Sequence, residues 1–136
     1  MKDEEIRSML GKCKTIAVVG ISPKEDRPSY TVASYLKSKG YTIIPVRPDG
    51  ETLLGERVYH RLQEIPPEVK IDIVDIFRKS EDVAPVVQEA IQRRARVVWM
   101  QEGVIHPEAA ARAERAGLQV VMDRCIKKDH QRLLNR

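Results

Sequence analysis

The polar and charged residues of this sequence that could do chemistry gather just after its apolar runs. Gly20, Ile21, Ser22 and Pro23 follow the first run, leading to Lys24, Arg27, Pro28 and Ser29. Arg47 and Pro48 follow the second run, Arg78 and Lys79 the third, and Gln101, Glu102 and Gly103 the fourth. A glycine directly after a strand lets the backbone turn sharply and approach a phosphate. Ser29 is placed to cap a following helix, whose free N–H groups and dipole favour an anion. Gly20 would equally serve a plain tight turn, and one glycine is not the three-glycine dinucleotide fingerprint, so both readings stand. On the phosphate reading, Gly20→Val is expected to block binding and leave the fold intact.

Arg47 is more informative. Strand–helix–strand domains that bind NAD place an acidic residue after the second strand, where it accepts hydrogen bonds from the ribose hydroxyls. Here an arginine stands between Pro45 and Pro48. A guanidinium there suits a phosphate on the ribose, at the 2′ oxygen of NADP or the 3′ oxygen of coenzyme A. The alternative is a solvated surface arginine. Glu25, Asp26, Asp49 and Glu102 share the same edge, so it offers individual phosphate contacts and no broad positive field.

Other reactive side chains have plainer readings. Asp75, near the end of the third run, needs partners if buried, and backbone N–H groups or an arginine are expected to supply them. His106, before Pro107, either caps a helix or lines a crevice, and the cap is favoured. Cys125 follows Arg124, which could activate it, although an inert thiol is the commoner case. His60, His106 and His130 show no metal-ligand spacing with Cys13 or Cys125. No nucleophile–base set, paired carboxylate or Walker lysine is visible, so no catalytic centre is assigned.

The elements that must position these residues are five β-branched, mostly unalternating runs at 15–19, 41–46, 71–77, 97–100 and 118–122. Such runs suit strands buried on both faces of a parallel sheet. Helical periodicity links most of them. Val32, Ala33, Tyr35 and Leu36 form one apolar face, and Val83, Val86, Val87, Ala90 and Ile91 another, whose helix is expected to start at Asp82. Arg93, Arg94 and Arg96 at its end are read as complements to the helix dipole. Pro107 opens an alanine-rich helix that stops at Gly117, while 3–13 and 126–134 read as a leading and a closing helix. Residues 50–67 read as an irregular loop with one helical turn. The expectation is a three-layer, Rossmann-like α/β fold: a five-stranded parallel sheet in the order 3-2-1-4-5 with helices on both faces. The crevice would lie between the first and fourth strands.

Length and composition narrow the function classes. The chain has 136 residues, which fits one domain spanning 1–136. At 42% hydrophobic it is too apolar for a disordered chain, yet no stretch approaches a membrane span. Residues 1–5 are charged and lead into no apolar core, so no secretory signal is expected, and two cysteines suit a reduced, cytoplasmic home. The formal charge of +4 is spread out and only 4% of residues are aromatic, which argues against nucleic acid as a partner.

With these residues in view, the chain resembles the small stand-alone CoA-binding protein family, whose fold is related to the N-terminal domain of the succinyl-CoA synthetase α subunit. The matching stretches are Ile16-Ala17-Val18-Val19-Gly20-Ile21-Ser22-Pro23 with Arg27-Pro28-Ser29-Tyr30, then Ile44-Pro45-Val46-Arg47-Pro48, Val74-Asp75-Ile76-Phe77-Arg78, Trp99-Met100-Gln101-Glu102-Gly103 and Met122-Asp123-Arg124-Cys125. Arg47 departs from the family pattern, where many members carry asparagine. The resemblance implies that Gly20, Ile21 and Ser22 present backbone groups to the CoA pyrophosphate and that Arg47 reaches the adenosine end with its 3′-phosphate. It implies that Phe77 and Arg78 flank the adenine and that Gln101, Glu102 and Gly103 line the pantetheine side. Pro23, Arg27 and Ser29 complete the candidate set. Synthetase chemistry needs a histidine and an ATP-grasp partner from other domains, so the resemblance implies binding of CoA or an acyl-CoA without a reaction, with an acyl-transfer protein as a possible partner. The alternatives are an NADP-dependent oxidoreductase and a protein-interaction module with a vestigial nucleotide site.

Overall fold

In the computed structural model, which describes residues 1–134, alternate residues of each apolar run point to opposite faces of one parallel sheet. Its strands are β1 (Thr15–Val19), β2 (Thr42–Val46), β5 (Ile73–Ile76), β6 (Val97–Met100) and β7 (Gln119–Val121). Two-residue strands β3 (Thr52–Leu53) and β4 (Glu56–Arg57) form a separate antiparallel ribbon. Helices α3 (Val83–Gln92) and α4 (Pro107–Arg115) bury Val83, Val87, Ala90 and Ala113 against Ala17, Val74 and Val98 on one face. Helices α1 (Asp3–Lys12), α2 (Pro28–Ser38) and α5 (Ile126–Leu134) bury Leu10, Leu36 and Ile126 against Val18, Ile73 and Trp99 on the other. Two apolar layers over one sheet give the three-layer α/β class that the periodicity predicts.

The strand order differs from the expectation. Neighbours run β2-β1-β5-β6-β7, so counting only the five sheet strands along the chain the order is 2-1-3-4-5, not 3-2-1-4-5. Three residues carry the physical reason. Pro45 lies inside β2 and has no N–H to donate, so β2 suits a sheet edge rather than an interior position. On its outer side β2 carries a bridge to Tyr59, whose N–H donates to the Pro45 carbonyl and whose carbonyl accepts from Arg47 N–H, both at 3.0 Å. Asp72, nearly buried, accepts the N–H groups of Lys14 and Thr15 at 2.8 and 3.1 Å, which locks the start of β5 beside β1.

Residues 47–72 therefore cross back over the sheet on the α3 face. Their one helical turn, Leu62–Glu64, is the expected one, while the β3–β4 ribbon was not anticipated. Leu62, Ile65 and Ile71 sink into the core there. Arg93 holds this segment: its guanidinium donates to the carbonyls of Leu62, Ile65, Pro66 and Val69 at 2.7 to 3.2 Å. The helix-dipole reading of Arg93 is thereby corrected to a specific clamp. The helix boundaries follow the proline signals. Asp82 is the residue before α3, and His106 caps α4 by accepting the Ala109 N–H on Nδ1 at 3.0 Å. No helix among the described residues is long and apolar enough to cross a membrane.

Candidate functional site

β1 leads to β2 on one side, and the chain returns to β5 on the other, so the switch point lies between the carboxyl ends of β1 and β5. Ligands of open α/β sheets bind at such a point whichever of the two strand orders is used. The crevice thus lies between the first and third sheet strands, not between the first and fourth.

Gly20 sits at its centre with φ +87 and donates its N–H to the Val46 carbonyl at 2.9 Å. A Cβ there would lie 2.2 Å from the Phe77 carbonyl oxygen and 2.9 Å from Arg78 Cδ. Both the left-handed backbone and the neighbouring strand demand glycine, so the expectation that Gly20→Val spares the fold is overturned. The loop that follows winds on itself: Ser22 N–H donates to Ser29 Oγ at 2.9 Å, and Lys24 N–H to Ser22 Oγ at 3.1 Å. Ser29 is consequently not the cap of α2. Arg27 occupies that position without a side-chain bond, Pro28 opens the helix, and the N–H groups of Ser29 and Tyr30 have no acceptor among the described residues.

Arg47 braces this loop from β2. Its Nε donates to the Ile21 carbonyl at 3.2 Å and its Nη1 to the Asp49 carbonyl at 2.6 Å, while Nη2 has no acceptor among the described residues. The freely solvated reading of Arg47 is thus replaced by a guanidinium held in place. Across the sheet, the loop after β6 is clamped from three sides. Gln101 Oε1 accepts the Ile126 N–H at 3.1 Å, Asp123 Oδ1 accepts the Gly103 N–H at 2.7 Å, and Ser80 Oγ accepts the Ile105 N–H at 2.9 Å. Asp123 holds a positive φ of 61 to do so.

The crevice has two lobes. The larger, about 550 Å³, is lined by Gly20, Ser22, Arg27, Ser29, Phe77, Arg78, Gln101, Glu102 and Gly103, with Cys125 among them. The smaller, about 290 Å³, holds Arg47 with Pro48, His60, Arg61, Asp82, Val86 and Glu89. Arg78 lines both. Of the candidate residues, Ile21 is buried in the core and Pro23 is exposed, and neither lines a lobe. His60 and Arg61 escaped sequence reasoning because they follow no strand; the return crossover delivers them. Part of the local charge is already engaged: Arg61 pairs with Glu89 and Lys128 with Glu102, each at 3.1 Å.

Helix α5 starts directly after Cys125 of the larger lobe and is fixed by charge. Burial would push the Asp129 carboxyl up, but hydrogen bonds from Arg124 and Arg132 hold it below its ordinary range. Asp75 departs from expectation. It is fully buried on β5, on the same face as Val18 and Trp99, and neither carboxyl oxygen has a partner among the described residues. Burial pushes its carboxyl well above the carboxylate range, so the expected backbone or arginine partner is replaced by a neutral acid.

A doubly wound α/β sheet with a two-lobed crevice of mixed charge at its switch point, Arg47 and Arg78 among its lining, is the architecture of a nucleotide-type binding domain. The chain belongs to the CoA binding domain family, whose model matches residues 14–131. The uncharacterized protein YneT of Bacillus subtilis is 40% identical over 126 residues, covering 93% of this chain and 92% of that protein. A hypothetical protein of Pyrococcus horikoshii has a solved structure that superposes with a TM-score of 0.94 at 41% identity, covering 98% of this chain and 93% of that one. An ADP-forming acetate–CoA ligase of Archaeoglobus fulgidus is 28% identical over 120 residues, but the match spans 84% of this chain and only 17% of the ligase.

Proposed function

We propose that this protein binds coenzyme A or an acyl-CoA across the two lobes and carries no catalytic centre of its own within this domain. The observation that carries the reading is Arg47, a guanidinium fixed after β2 where an NAD site would place an acid. In this reading the smaller lobe takes the adenosine end, with Arg47 on the 3′-phosphate. The diphosphate crosses above Gly20 and Ser22 toward the unpartnered N–H groups at the start of α2, with Arg78 between the lobes. Pantetheine then runs along Phe77 and Gln101 to Gly103 in the larger lobe. Family membership supports CoA as the ligand, and the ligase relative acts on CoA by name.

Calorimetric titration with CoA, dephospho-CoA, NADP and NAD tests the reading. Saturable CoA binding with a loss of ~10- to 100-fold for dephospho-CoA is expected, the span of one charged hydrogen-bonded contact. In Arg47→Ala that difference between the two ligands should disappear. Tighter binding of NADP than of CoA would overturn the reading in favour of an oxidoreductase, and heat from none of the four would return the chain to a protein-docking role.

A further inference from the structure

Cys125 stands directly before α5, half-buried, in the wall of the larger lobe. An accessible thiol alone assigns nothing, but its neighbour in that wall adds an independent observation. Gln101 is 5% exposed, and the Ile126 N–H fixes its Oε1. Its Nε2 has no acceptor among the described residues and opens on the lobe. A free amide donor in the wall of a crevice is placed to meet an acceptor that arrives with a ligand. A pantetheine arm brings two amide carbonyls and ends in sulfur.

We propose that Cys125 captures oxidised CoA: the larger lobe seats a pantetheine arm against Gln101 Nε2 so that its sulfur meets Cys125, which exchanges with CoA disulfide to form a mixed disulfide. The inference rests on the CoA reading above. In the step, the Cys125 thiol releases its proton to solvent and its sulfur attacks one sulfur of CoA disulfide. The disulfide S–S bond breaks, the Cys125–S–S–CoA bond forms, and the second CoA leaves as a thiolate that takes a proton from solvent. One disulfide is consumed and one formed, so no further oxidant enters. Cys13 does not compete. It lies before β1 at the opposite end of the strands, and burial pushes its thiol up to about 11.

The test is intact-mass spectrometry of the wild type and Cys125→Ser after incubation with CoA disulfide or with hydroxyethyl disulfide, beside CoA calorimetry of both proteins under reducing conditions. One CoA adduct is expected on the wild type, reversed by dithiothreitol and absent from Cys125→Ser. It should form at least about tenfold faster than the hydroxyethyl adduct, because the bound nucleotide raises the local concentration of the disulfide. Unlabelled CoA under non-reducing conditions should compete with CoA disulfide and slow its reaction, while leaving the hydroxyethyl reaction far less affected. No adduct, or equal rates with the two disulfides, overturns the capture role while CoA heat remains. Absence of CoA heat from both proteins overturns the binding reading beneath it.

Discussion

Replacing Asp75 with valine should make this protein more stable, although the residue sits at the centre of its sheet. Both carboxyl oxygens are buried without a partner, beside Val18 on β1 and Trp99 on β6. An unsatisfied buried polar group costs ~1–3 kcal/mol even when neutral. Valine is larger than aspartate by about one methylene but is apolar and β-branched, which suits a strand buried on both faces, so packing strain offsets only part of the gain. For a chain of this length 1 kcal/mol corresponds to about 3–4 °C in Tm, which makes the expected rise ~3–10 °C at neutral pH. The pH dependence separates two contributions. Burial raises the folded-state pKa, so the neutral acid favours folding most fully below the unfolded pKa near ~3.9. As pH climbs past that value the unfolded chain releases the proton and the folded one keeps it, so the wild type loses stability until its folded pKa is reached. Asp75→Val and Asp75→Asn should both lack this loss, while only the valine also removes the unpartnered polar group. Thermal unfolding by circular dichroism between pH 4 and 8 would show the valine advantage widening with pH. A less stable valine variant at pH 7, or wild-type and Asn curves that stay parallel, would refute the unpartnered, neutral assignment.

Two further substitutions probe how the site is built. Gly20→Ala should destabilise the fold as well as any ligand site, because its Cβ would lie 2.2 Å from the Phe77 carbonyl at a φ of +87; a variant with unchanged Tm would show that β1 and β5 can part without cost. Arg93→Lys should lose ~1–3 kcal/mol in urea unfolding, since an ammonium cannot reach the four crossover carbonyls that the planar fork serves together, and an unchanged midpoint would mean the segment is held by its apolar anchors alone.

The layers and the residues at the strand ends were legible because they depend on local pattern. β-Branched runs and 3.6-residue periodicity need no knowledge of neighbours, and residues after parallel strands share one edge automatically. Strand order is different, since it depends on which edge the third strand meets. Pro45 inside the second run was a readable sign that β2 lies at an edge, but Asp72 could not be recognised as the lock on β1 before its partners Lys14 and Thr15 were known. Asp75 shows the same limit. Its neighbourhood predicts that it needs partners, and only three-dimensional packing reveals that it has none.

The return crossover joins architecture to chemistry. A helix in that place would have buried its apolar stripe and kept its polar residues in solvent. The irregular segment instead sinks Leu62, Ile65 and Ile71, hands its carbonyls to Arg93, and turns His60 and Arg61 toward the smaller lobe. Arg47 begins the same segment, and its Nη1 is tied to the segment's own Asp49 carbonyl. The cations of the smaller lobe therefore depend on how well the crossover is held down. It follows that Arg93, which touches no lobe, should act on the ligand through position. In Arg93→Lys, CoA affinity should fall while the ratio of CoA to dephospho-CoA affinity stays near its wild-type value, because Arg47 is displaced in only part of the population. A ratio collapsing to that of Arg47→Ala would mean instead that the whole lobe opens when the clamp is lost.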